Sequence, residues 1–228
     1  MKSMKNQQSG FTLVEIAIVL VIIGLLLGGI LKGQELINSA KVKNLAQDFK
    51  TIPLYIYGYQ DRFKAIPGDD GRALTNLPSG TAPAPAAGDN GNANGRIDGE
   101  WNSETATDES AKFWRAVRAT NFAAGPTDPA TLPGYYPQNV EGGRIGITSA
   151  TVVQTPIIGM SGTYVFCSST ILGKYAKQLD TTLDDGNTAT GSIRVRDLVV
   201  GAAVAAPVAA TVTTAVDDNT GYTVCMTF

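Results

Sequence analysis

An α+β fold is predicted for this chain: a long amino-terminal α-helix, half membrane anchor and half spine, packed on a carboxy-terminal head with an antiparallel β-sheet. Three observations predict it. The run from Phe11 to Leu31 reads FTLVEIAIVLVIIGLLLGGIL, in which only Thr12 and Glu15 carry side chains that are neither apolar nor glycine. Beyond it, Val42, Leu45, Phe49, Ile52, Ile56, Tyr59 and Phe63 recur at alternating steps of three and four, the mark of one helical face. Toward the carboxy terminus, short runs rich in Val, Ile, Thr and Tyr alternate with Gly, Pro, Asp and Asn breakers, as short strands do.

The composition narrows the function. With 228 residues, 43% of them hydrophobic, the chain can bury the core of one or two compact domains. Eighteen basic against 20 acidic side chains leave a formal charge of −2, with no basic excess to follow a nucleic-acid backbone; whether nucleic acid is a partner stays unknown. Histidine is absent, which removes imidazole bases, His-based triads and His-ligated zinc from a single chain. No Ser-Lys, phosphate-loop or paired-carboxylate signature replaces them, so the expectation is a protein that is not an enzyme, a membrane-anchored enzyme being the remote alternative. Two cysteines, Cys167 and Cys225, are too few for a four-thiolate metal site. One long-range disulfide is the natural expectation, and with it a head outside the cytoplasm.

As a helix, Phe11 to Leu31 spans roughly 31 Å at ~1.5 Å per residue, the thickness of a bilayer's hydrocarbon core. It is longer than the apolar part of a secretory signal peptide and lacks a small-residue cleavage site at its end. Glu15 is costly inside such a span, so it calls for a partner or a function, unless it simply sits at headgroup level. Its neighbours favour a function. Lys5-Asn6-Gln7-Gln8-Ser9-Gly10, followed by Phe11-Thr12-Leu13-Val14-Glu15, closely resembles the class III leader of type IV pilins and type II secretion pseudopilins. The resemblance is dense from Ser9 to about Leu31.

That resemblance implies a set of roles and partners. Gly10 is the residue after which an inner-membrane prepilin peptidase cuts, and Phe11 becomes the methylated amino terminus. Glu15 pairs with the terminal ammonium of a neighbouring copy, two charges that attract strongly where water is scarce and are penalised when alone. The expected function is a structural subunit of a type IV pilus-like filament, with a type II secretion pseudopilin or a minor pilin as the alternative. The expected partners are copies of the chain, an assembly platform and, before assembly, inner-membrane lipid. The precursor would reside in the inner membrane and the assembled form at the cell surface, or in the periplasm for a pseudopilin. The domain plan is leader 1–10, membrane and filament-core helix 11–31, amphipathic continuation 32–64, and head 65–228 with a 167–225 disulfide loop.

The helix is expected to kink at Pro53 without ending, since the periodicity resumes, and to stop before Pro67-Gly68. Gly24, Gly28, Gly29 and Gly33 suit either close helix packing in lipid or local melting. Residues 66–102 read as loop. Within them Asn90, Asn92, Asn94, Arg96 (through its carbonyl) and Asp98 fall at positions 1, 3, 5, 7 and 9 of an EF-hand-like loop, so Ca2+ is a candidate ligand. Trp101 stands where that loop needs a Glu, and Asn-Gly turns give the plainer reading. A short helix is expected over Glu104–Asn121, capped by Ser103 or Thr107, with Trp114 in the core. Strands are expected over Gly143–Thr148, Thr151–Ile158, Thr163–Ser168, Gly191–Leu198 and Tyr222–Phe228, and a second helix over Ile171–Leu183. Asp184-Asp185-Gly186-Asn187 reads as a solvated turn, or else a cation site, and Val199–Val216 as a loop and edge strand.

Overall fold

The computed structural model describes residues 12–131, 134–150, 156–157, 159–198 and 215–228. Helix α1 runs from Leu13 to Phe63. Two compact units divide the chain, one reaching to Ala40 and the other running from Lys41 to Phe228. In the first, the apolar side chains from Leu13 to Leu31 are exposed. In the second, α1 buries Val42, Leu45, Ala46, Phe49, Ile52, Ile56 and Tyr59. The expected stripe is thus its core face, except that Phe63 is only partly buried and lies with its ring 4.5 Å from that of Tyr59.

Pro53 sits inside α1 without ending it. Proline costs a helix interior about 3 kcal/mol, yet burying each of the flanking Ile52 and Ile56 side chains returns about 1.5–3 kcal/mol. Burial therefore carries the helix through. Between Leu45 and Phe49, partly buried Asp48 has its carboxyl pushed up to about 6 by loss of water. Because the folded value lies above the unfolded one, ionising Asp48 opposes folding. Its contribution is most favourable below about pH 4 and is lost as pH climbs through 6. Asp48→Asn should therefore stabilise the head at pH 7.5, by about 1 kcal/mol once partial exposure is allowed for, and do little at pH 4. Urea titrations at the two pH values check this.

The sheet has the order β1-β2-β4-β3, antiparallel throughout, with β1 at Ile145–Ser149, β2 at Tyr164–Leu172, β3 at Ile193–Asp197 and β4 at Gly221–Thr227. One face gives Ile145, Ile147, Phe166, Ile193, Val195, Tyr222 and Val224 to the core that α1 enters, and the Phe166 ring meets Phe49 edge-on at 4.7 Å. On the other face Val165, Cys167 and Cys225 pack with Trp101, Ile157 and Met160. With both faces covered, the central strands β2 and β4 are buried at consecutive positions instead of alternate ones. Gly146 makes the second layer possible: a Cβ there would strike the backbone carbonyl of Trp101.

Several sequence expectations are corrected here. β2 continues to Leu172 instead of stopping at Ser168, because a register shift after Ser168 lets Ile171 and Leu172 pair with Tyr222 and Gly221. The shift is accommodated by Thr170 at a φ of 61°. The following helix, labelled α4 below, accordingly starts at Gly173 and ends at Leu183. The segment read as loop contains a short helix α2, Ala73–Asn76, and a 3-10 turn, Ala87–Asp89. Helix α3 spans only Glu109–Ala119, and Asp108, not Ser103 or Thr107, precedes it. Ser103 instead closes the preceding turn, its hydroxyl donating to Asp108 Oδ2 at 2.6 Å. Trp114 is in the core as expected. The strand expected at 151–158 lies outside the described residues except for Pro156 and Ile157, and the 199–216 segment lies outside them except for Ala215 and Val216.

Candidate processing and assembly site

The first turn of α1 is closed by its own side chains. The Thr12 backbone N–H and the Thr12 hydroxyl both donate to Glu15 Oε2 at 2.8 Å, and the Glu15 N–H lies 3.3 Å from Thr12 Oγ1, which accepts from it. This is a reciprocal capping box: residue N-cap satisfies the N–H three residues on, and the acid there reaches back. The arrangement also sets a carboxylate against the positive end of the helix dipole. Sequence reasoning gave Thr12 no role, although the spacing T-x-x-E ahead of an apolar run was the available signal. Gly10 and Phe11 lie outside the described residues.

After Glu15 the helix is long and apolar enough to cross a membrane, and none of its most apolar stretch is buried. Gly24, Gly28, Gly29 and Gly33 lie within unbroken helix, and a methyl group built on any of them meets no described atom within 4 Å beyond its chain neighbours and the adjacent helix backbone. The site as a whole is therefore a bare apolar rod headed by a hydrogen-bonded carboxylate. Chemically it can pack against other apolar helices or lipid tails, and it can offer its charged tip to a cationic group.

In the head, Cys167 and Cys225 face each other across β2 and β4 and are bonded, with Cα atoms 4.1 Å apart. The Asn/Asp/Gly loop is only partly convergent. Asn92 and Asn94 both donate through their side-chain amides to Asp98 Oδ2, at 2.9 and 2.7 Å. Asn90 turns elsewhere, its Oδ1 accepting from Leu74 N–H at 2.8 Å, and Arg96 donates its N–H to Asn94 Oδ1. Two carboxylates that the sequence reading did not assign to the loop organise it. Asp69 accepts from the N–H groups of Asn94 and Gly95, at 3.0 and 2.8 Å, and Glu109 from those of Asn92 and Asp98, at 2.8 and 2.9 Å. Both are buried. Nothing in the local spacing pointed to them, since Asp69 reaches the loop from the turn before α2 and Glu109 from the start of α3.

Burial raises the Glu109 carboxyl, and the two backbone N–H groups draw it back. Charge-assisted bonds of this kind contribute about 1.5–3 kcal/mol each. Glu109→Gln keeps the shape, but its amide group can accept at only one atom. It is expected to cost the head about 2 kcal/mol and to raise amide exchange at Asn92 and Asp98. Denaturant unfolding with hydrogen-exchange mapping measures both.

Comparison with known proteins places one feature. Residues 5–31 match the family model of the prokaryotic N-terminal methylation motif. The chain thus carries the leader and apolar helix of a type IV pilin-like or pseudopilin precursor, a motif that implies processing by a prepilin peptidase and fits anchoring of the precursor in a membrane. Neither the curated proteins nor the solved structures compared with the chain provide a match.

Proposed function

We propose that the mature chain is a structural subunit of a type IV pilus-like filament. A prepilin peptidase removes residues 1–10, Phe11 becomes the methylated amino terminus, and copies of the chain pack through α1 on an assembly platform in the inner membrane. Repetition of one head-to-tail contact then generates an open helical fibre. The observation that carries this reading is the methylation motif at residues 5–31, whose apolar helical stretch is buried by nothing among the described residues. An isolated apolar rod of that length needs either lipid or other rods around it, and the filament replaces the first with the second. The role is architectural, with no catalytic step. The head, closed by Cys167–Cys225, would face the cell exterior.

A pseudopilin or minor pilin would use the same amino-terminal device, so the test has two stages. Intact-mass and terminal-peptide analysis of protein from its native host should find Phe11 at the amino terminus, carrying one methyl group. A mature chain that begins near Gly33 would overturn the reading. Deleting the gene should then remove surface fibres in which this chain is the dominant subunit. Loss of exoprotein secretion with surface fibres intact would assign the chain to a secretion system instead.

A further inference from the structure

Aspartate oxygens buried without a hydrogen-bond donor are rare, because a carboxylate withdrawn from water must find another source of positive charge. Asp180, in the last turn of α4, is completely buried. Its Oδ1 accepts from Gly186 N–H at 2.8 Å, while its Oδ2, also buried, accepts no hydrogen bond. Just past the helix end stand Asp184 and Asp185. One carboxylate oxygen from each of the three residues lies within 4.8 Å of those of the other two. Two further carboxylates thus stand beside the buried Asp180 carboxylate, one oxygen of which accepts no hydrogen bond.

From this cluster we infer a binding site for a divalent cation of the oxygen-preferring kind, calcium, held by Asp180, Asp184 and Asp185. The loop between α4 and β3 keeps the carboxylates in position. Asp184 Oδ2 accepts from Ile193 N–H at 2.8 Å. Asp185 accepts from Asn187 N–H through Oδ1 and from the Thr190 hydroxyl through Oδ2. Gly186, at a φ of 81°, supplies the turn that brings its own N–H back to Asp180. The carboxy-terminal end of α4 adds partial negative charge from its last carbonyls. Arg194 attracts Asp185, whereas Asp180 feels the repulsion of both neighbouring acids.

The donor set selects the ion. It is made of carboxylate oxygens, with both cysteines consumed in the disulfide and histidine absent from the sequence, which disfavours zinc and copper. Three carboxylates from a helix end and the loop after it, with one side open to water, suit the irregular, water-completed oxygen coordination of calcium better than the near-ideal octahedron that magnesium demands. Asp185 is exposed and Asp184 partly so, leaving the outer side open to the waters that complete calcium's coordination.

The test is calorimetric titration of calcium into the full chain, purified in detergent and stripped with chelator. One calcium should bind per chain and raise the melting temperature of the head, with magnesium at least tenfold weaker. Asp180→Asn should abolish binding. Should that variant fail to fold, the exposed Asp185→Ala should still weaken binding at least tenfold. Asp98→Ala should leave it unchanged, which separates this site from the Asn90–Asp98 loop. No heat or melting shift at millimolar calcium would mean that Asp180 carries a proton instead, and would overturn the site. So would binding that survives Asp185→Ala undiminished, or binding that Asp98→Ala abolishes.

Discussion

Glu15→Leu is expected to remove filaments while leaving a folded, exported, disulfide-bonded head. The residue lies in the unit that ends at Ala40, whereas the core of the head is built from Val42 onward, so it is no part of that core. What it takes away is the carboxylate at the tip of the apolar helix. In the proposed filament that carboxylate would face the terminal ammonium of another copy. An ammonium left alone among apolar helices costs about 3–5 kcal/mol, which is more than a hundredfold in any equilibrium that depends on it. The capping box offers a rival explanation, because the same carboxylate closes the first turn with Thr12. Thr12→Val separates the two. It breaks the hydroxyl half of the cap, worth about 1 kcal/mol, and keeps the charge. Filament yield at matched membrane levels should fall at least tenfold in Glu15→Leu and by much less in Thr12→Val. Equal yields in the two variants would make Glu15 a helix cap and nothing more.

How much of this was legible beforehand depends on the range of the interactions concerned. Helix α1 and its buried stripe were readable because their cause is a period of three to four residues within one segment, and burial of Ile52 and Ile56 outweighs Pro53 locally. The disulfide was readable because two cysteines allow one pairing. The end of β2 was not. Its extension to Leu172 depends on Tyr222 and Gly221, which pair with it after a shift that local propensity does not encode. The same holds for the Asn90–Asp98 loop, where the calcium-like spacing was visible, while the hydrogen bonds that fix it come from Asp69 and Glu109. The miss at Thr12 was of another kind. Its partner Glu15 stands three residues away, and one carboxylate serves there both as a charge in an apolar span and as the closing half of a cap.

The disulfide carries the other large effect. Cys167 and Cys225 are opposed in register on β2 and β4 and close a stretch that contains α4 and β3. In the chain-entropy account, tying residues 58 apart removes enough freedom from the unfolded chain to stabilise the fold by about 4 kcal/mol. Replacing both cysteines with alanine is therefore expected to lower the unfolding free energy of the head by about 4 kcal/mol. A smaller added cost comes from packing, because both side chains are fully buried among Trp101, Ile157, Met160 and Val165. The loss should not be uniform. β3 pairs only with β4 among the described strands, so any loosening of β4 takes β3 with it. β1 remains paired to β2, and the α1 stripe remains seated on the core through contacts such as Phe49 on Phe166. Hydrogen exchange in the double variant should show amides of Ile193–Asp197 and Gly221–Thr227 opening well before those of Ile145–Ser149. Chemical reduction of the wild type should reproduce the pattern. A destabilisation below about 1 kcal/mol would mean that the sheet register holds the last strand by itself, with the bond serving resistance to local opening more than global stability.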